Sequence, residues 1–186
     1  MAKRKTTYKD ASNKKAVRDF LFSLFAKQQL NKIVGLGGPD INDYIDWCKS
    51  KEFTEFEIYE NHTPTLFEQI RRIKAGVGVN LKYGDILNAD ANRKNVLFDL
   101  DYCVTTRYMS PHIKKFKGRF IMTFSRRLQE KETISTFFKA RGEQLIQAIT
   151  NYSPLEHTIF KTDVGNKYIY VKYHDTSSMC CFAKIN

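Results

Sequence analysis

The sequence has no apolar run long enough to cross a bilayer. Its longest, Phe20 to Ala26, is interrupted by Ser23 and sits among Arg18, Asp19 and Lys27, far short of the roughly 20 residues a span requires. A secretory signal is missing too. The basic start, Met1 to Lys15, leads into an amphipathic pattern and not into a smooth apolar stretch with a small-residue cleavage site. These absences point to an intracellular, cytoplasmic protein with no membrane partner. Cysteine is scarce: Cys48, Cys103, Cys180 and Cys181 show no CxxC spacing. His62, His112, His157 and His174 each lack a second Cys or His three or four positions away. Zinc-ligand spacing is therefore absent, no metal is expected, and the thiols read as reduced and buried.

Acidic residues are missing from one place in particular. Residues 114–127 hold six basic side chains and no acid, and residues 1–15 hold six against one; outside them the basic and acidic residues of this +11 chain balance. Clustered Lys and Arg create the local positive potential that attracts polyanions. The expected nucleic-acid contacts are Arg126 and Arg127, with Lys114, Lys115 and Lys117. Residues 1–14 read as a flexible basic arm, and 15–186 as one domain whose 42% apolar content supports a full core.

Hydrophobic spacing supplies the elements. A helix is predicted from Lys15 to Leu30, with Ser12 or Asn13 as cap. Strands are predicted at Lys32 to Leu36, Glu55 to Tyr59, Gly76 to Tyr83, Val96 to Leu100 and Arg119 to Phe124, with helices at Ile41 to Ser50 and Thr65 to Lys74 among them. Strands alternating with helices imply a parallel sheet covered on both faces. Thr133 to Thr150 is predicted as one long helix. The β-rich segments His157 to Phe160, Tyr168 to Tyr173 and Met179 to Ile185 then close the sheet, the last two as an antiparallel hairpin.

In an open parallel sheet, ligands bind beyond the carboxyl ends of the strands. Gly37 and Gly38 follow the first strand, where a missing Cβ lets the backbone approach a ligand. Glu60 follows the second, at a distance from the glycine turn suited to a carboxylate that accepts from both hydroxyls of a ribose. Asp85 follows the third strand; Asp101 and Tyr102 follow the fourth. NAD would use the same glycine turn and acid. However, Gly35, Gly37 and Gly38 are followed by Pro39, Asp40 and Ile41 instead of the rest of G-x-G-x-x-G, and Asp40 would meet a pyrophosphate with like charge. Asp99 shares a strand face with Asp101 and reads as structural. Cys103 reads as an inert thiol.

The segments KIVGLGGPD, EIYEN, YGDIL and NVLFDLDYC, followed by GRFIMTFSRR and a C-terminal hairpin, resemble the class I S-adenosylmethionine-dependent methyltransferases. The resemblance covers the chain from Lys32 onward. It implies a three-layer Rossmann-like α/β fold, with a mostly parallel seven-stranded sheet and a C-terminal antiparallel hairpin. It also implies S-adenosylmethionine as cofactor, with Gly35, Gly37 and Gly38 beside its methionine part, Glu60 on the ribose and Asp85 on the adenine amino group. Asp101 and Tyr102 fall on the catalytic side, as proton acceptor and as target-orienting residue. Methyl transfer to a nucleic acid follows from the charge clusters. Two departures keep a second reading open, a catalytically inactive nucleic-acid or protein-binding module: Gly35 stands where an acid usually precedes the glycine turn, and Asp101-Tyr102-Cys103-Val104 lacks the double proline of many amino-methylating enzymes.

Overall fold

The computed structural model describes residues 12–186, apart from Lys27, Gln29, Pro39, Ala75, Gly76, Cys103, Arg126, Arg127 and residues 175–177. The chain runs α1 (Ser12–Ala26), β1 (Lys32–Gly35), α2 (Ile41–Lys49), β2 (Glu55–Glu60), α3 (Thr63–Arg72) and β3 (Val79–Tyr83). A 3₁₀ turn (Ile86–Asn88) leads to β4 (Val96–Asp101), α4 (Thr106–Ile113), β5 (Arg119–Ser125) and α5 (Glu130–Arg141). Four strands finish it: β6 (Leu145–Asn151), β7 (His157–Thr162), β8 (Lys167–His174) and β9 (Ser178–Lys184).

All nine strands form one sheet in the order β3-β2-β1-β4-β5-β9-β8-β7-β6. The first five are parallel neighbours. β9 is antiparallel to both β5 and β8, so the expected C-terminal hairpin lies inside the sheet and Tyr168 to Tyr173 runs antiparallel to its neighbours. Successive strand residues point to opposite faces, and both faces are apolar. Ile33, Ile58, Leu97 and Ile121 bury one face against Val17, Leu21 and Phe25 of α1 and Tyr44 and Ile45 of α2. Phe98, Phe120 and Met122 bury the other against Met109 and Ile113 of α4 and Phe137 of α5. Phe137 stacks on Phe182 at 3.9 Å between ring centroids.

The predicted helix over Thr133 to Thr150 is two elements, the end of α5 and the added edge strand β6, and the sheet has nine strands where seven were expected. Gly142, at φ 69°, takes the left-handed conformation that ends α5, and its N–H and that of Glu143 bond back to the carbonyls of Lys139 and Phe138. Leu145, Ile146 and Ile149 have helical spacing, but after this stop they lie on an edge strand paired with β7. The predicted first helix also starts and ends earlier than expected, beginning at Ser12 and stopping at Ala26, so Ser12 to Lys14 belong to the helix.

On β2, Glu57 receives both ends of the Arg93 guanidinium, at 2.9 and 3.0 Å, with the Tyr59 hydroxyl at 3.0 Å and the Lys32 ammonium at 3.4 Å. The Arg93 hydrogen bonds hold its carboxyl at about 2, below the ordinary 4.5. A carboxyl depressed on folding stabilises the protein above its unfolded value and loses that contribution as the pH falls through the folded one. Urea midpoints measured between pH 5 and 2 should therefore fall steeply. In Glu57→Gln about 2–3 kcal/mol of that acid-induced loss should be gone; an identical acid profile in the variant would remove Glu57 from the account.

Candidate cofactor cavity at the carboxyl edge

Because β1 to β4 are parallel, the loops that follow them meet on one edge. There they enclose a cavity of about 440 Å³, within the 300–1,000 Å³ usual for ligand sites. Gly38 from the loop after β1, Glu60 and Asn61 from the end of β2, Gly84 and Asp85 after β3, and Tyr102 and Val104 after β4 all line it. Four residues singled out in the sequence are thus brought together: Gly38, Glu60, Asp85 and Tyr102. The apolar side chains of Leu36, Ile86 and Leu87 complete this wall.

The two carboxylates are held by their local backbone. Glu60 accepts the N–H of His62 through one oxygen, at 2.8 Å. Asp85 caps the 3₁₀ turn by accepting from Leu87 N–H at 2.9 Å. Gly38, at φ 59°, is in the left-handed region, and a Cβ built on it would meet nothing within 4 Å. Its carbonyl accepts from the fully buried Gln69 side chain at 2.7 Å, which ties α3 to the turn. The Tyr102 hydroxyl is buried with no hydrogen-bond partner among the described residues. Burial, with the Asp85 charge adding to it, pushes that hydroxyl above the usual tyrosine range, so it keeps its proton.

The other two glycines act beneath the cavity. A Cβ on Gly37 would fall 3.0 Å from Ile58 and 3.3 Å from Ile41, so its absence lets α2 close on the sheet. A Cβ on Gly35 would fall 2.7 Å from the Tyr44 hydroxyl oxygen. Gly35 stands opposite Asp99 in the β1–β4 register, and Asp99 accepts the Tyr44 hydroxyl at 2.8 Å and pairs with Arg18 of α1. The space a side chain at position 35 would need is thus filled by Tyr44 and Asp99, and the Asp99 carboxylate is committed to Tyr44 and Arg18.

Asp101 does not line the cavity. It shares the face of Asp99, toward α1, and pairs with Lys14 at 2.5 Å. The geometry explains both pairs. Four helical residues rise about 6 Å and two strand residues about 6.6 Å, so Lys14 and Arg18 on one helix face match Asp101 and Asp99 on β4.

The lysine cluster, whose edge the sequence leaves open, lies away from the cavity. α4 carries the chain from the carboxyl edge of β4 back to the amino edge, where Lys114, Lys115 and Lys117 lead into Arg119, the first residue of β5. They sit at the far edge of the sheet from the cavity, and a phosphate track joining them to it is not formed. Arg126, Arg127, Cys103 and residues 1–11 lie outside the described residues. Sequence reasoning missed α4, an eight-residue helix with Pro111 inside it, and with it the placing of Tyr108, Met109 and His112 on the remaining cavity wall. The Thr105 cap, accepting from Tyr108 N–H at 3.4 Å, was the available signal.

No family model matches the sequence, and no curated protein matches it. Solved structures match the fold. The N-methyltransferase NodS from Bradyrhizobium japonicum WM9 aligns at a TM-score of 0.53 over 92% of this chain and 94% of that one, with 8% identity. A candidate RNA methyltransferase from Pyrococcus horikoshii aligns at 0.52 over 96% and 89%, with 10% identity. M. jannaschii TYW2, in complex with AdoMet, aligns at 0.52 over 96% and 78%, with 13% identity. At these identities the likeness is one of fold: the chain has the three-layer, Rossmann-like α/β fold of S-adenosylmethionine-dependent methyltransferases.

Proposed function

We propose that this protein binds S-adenosylmethionine in the carboxyl-edge cavity and transfers its methyl group to a nucleic acid. The observation that carries the reading is the convergence of Glu60, Asp85 and Gly38 on one cavity of suitable size. Glu60 has a second oxygen for ribose hydroxyls, Asp85 a second oxygen for an exocyclic amine, and Ile86 and Leu87 an apolar surface for a purine. The bound sulfonium would supply an activated methyl group. The chain's own residues then align the acceptor and receive its proton. Tyr102, which keeps its proton, serves as a hydrogen-bond donor that orients the target, not as a base. Asp101 serves as proton acceptor only by leaving Lys14 and the α1 face and turning about the end of β4 into the cavity. The +11 charge and the fold shared with a candidate RNA methyltransferase support a nucleic-acid acceptor.

A second reading, a binding module without turnover, is favoured by the Lys14–Asp101 pair, which occupies the one strand-four acid proposed for chemistry. Incubation with methyl-labelled cofactor and pools of DNA, RNA and protein separates the two. Label in nucleic acid, reduced at least tenfold in Tyr102→Phe, is the expected result. Cofactor bound with no label moved supports the module, and label in protein alone removes the nucleic-acid acceptor.

A further inference from the structure

The amino edge of the sheet, opposite the cavity, carries an uncompensated set of positive charges. Lys114, Lys115 and Lys117 follow α4, Arg119 begins β5, Lys94 precedes β4 and Lys167 begins β8. Backbone contacts bind these segments into one surface. The Lys117 N–H donates to Ala91 at 3.1 Å, Arg119 donates to the Lys94 carbonyl at 3.1 Å, and the Lys184 ammonium donates to the Lys117 carbonyl at 2.8 Å. Gly118 makes the junction possible, since a Cβ there would fall 2.5 Å from the Arg93 carbonyl oxygen.

The acids nearest this surface are already engaged. Glu57 takes Arg93 and Lys32, Glu143 takes Arg141, Asp163 accepts backbone N–H groups of Gln144 and Val164, and the exposed Asp90, beside Ala91, accepts the N–H of Asn92. Among the described residues no carboxylate pairs with any of the six basic side chains first named. Burial first, then the charge of Arg141, opposed by Glu143, and then those of Lys117 and Arg119 hold the Lys184 ammonium below the usual lysine range. The large apolar side chain of the loop, Phe116, is fully buried. The loop therefore offers charge without the apolar wedge that a membrane-seeking surface inserts, which favours phosphodiester over lipid.

We propose that this amino edge is an anchoring surface for the phosphodiester backbone of a nucleic acid, held about 20 Å from the cavity across the length of β5. The inference deepens the nucleic-acid reading of the acceptor and rests on it. It makes the protein grip its substrate at a point remote from the atom modified. A substrate reaching both edges spans at least roughly 6 base pairs of rise, because duplex advances about 3.4 Å per pair. Such contacts position a strand without reading its sequence.

The test is fluorescence anisotropy of labelled RNA and DNA hairpins with 4-base-pair stems, too short to reach both edges, and of 24-base-pair duplexes, titrated with the whole chain at several salt concentrations. The expected result is tighter binding of the longer duplexes. In Lys114→Glu/Lys115→Glu/Lys117→Glu, affinity should drop tenfold or more and the salt slope should shrink by about 2 to 3, as the loss of three phosphate contacts requires. The alanine triple variant should lose the same slope without charge reversal. Unchanged affinity and slope in both variants would overturn the proposal. So would binding that prefers vesicles of phosphatidylcholine with 30% phosphatidylserine while ignoring the duplexes. Cofactor binding is read separately by calorimetry: duplex binding lost with the lysines, in a protein that binds no S-adenosylmethionine, supports the anchor and sinks the methyl-transfer reading alone.

Discussion

Replacing Arg18 by methionine should destabilise the protein by about 3 to 5 kcal/mol, because removing one partner of a buried ion pair leaves the other charge uncompensated. Arg18 is 1% exposed and Asp99 2%, so water cannot take over the lost role. The guanidinium also stands 5.3 and 5.2 Å from the ring centres of Phe22 and Trp47, adding attraction from two aromatic faces. In Arg18→Met the Tyr44 hydroxyl still donates to Asp99, but one neutral donor does not neutralise a buried carboxylate. A loss of this size lowers the melting temperature by roughly 10 °C for a domain of this length. The double variant Arg18→Met/Asp99→Asn should recover much of it, since it buries no net charge. A single variant costing under about 1 kcal/mol, within the range of exposed pairs, would show that the pair does not anchor α1.

Cofactor affinity is the second large effect. Glu60→Ala should weaken S-adenosylmethionine binding about tenfold or more, since hydrogen bonds to charged groups contribute about 1.5–3 kcal/mol. One Glu60 oxygen is occupied by His62 N–H, which fixes the carboxylate and leaves the other for the proposed ribose contact. Glu60 is at the end of β2, and its side chain packs into neither core cluster, so the fold should survive the change. Asp85→Asn is the companion: the amide oxygen still caps the 3₁₀ turn, while the charge proposed to face the adenine amine is lost. The two residues line one cavity through separate contacts, so their losses should roughly add. Full affinity in Glu60→Ala would remove the residue from the site.

The carboxyl-edge loops were legible because they follow from local pattern. Short apolar runs ending in Gly37-Gly38, Glu60, Asp85 and Tyr102 mark strand ends, and parallel pairing does the rest. What the sequence hid depends on long-range pairing or on ambiguous periods. Asp101 and Tyr102 are adjacent, so they point to opposite faces, and only the packing of α1 shows that the Asp101 face belongs to Lys14. Gly35 looked like a missing acid, whereas the space beside it is filled by Tyr44 and Asp99 from elements distant in sequence. Leu145, Ile146 and Ile149 satisfy a helical spacing as well as a strand, and Gly142 decides between them. The edge taken by the Lys114 cluster was not legible because α4, with its internal proline, was not read as a helix.

The central claim is that the cavity lined by Gly38, Glu60 and Asp85 holds S-adenosylmethionine. Titration calorimetry of the whole chain with S-adenosylmethionine, its demethylated product and NAD tests this most directly. The account predicts one-to-one binding of the first two, weakened tenfold or more in Glu60→Ala, and no binding of NAD. Binding of NAD with none of S-adenosylmethionine or its product, or binding of neither class, would contradict it.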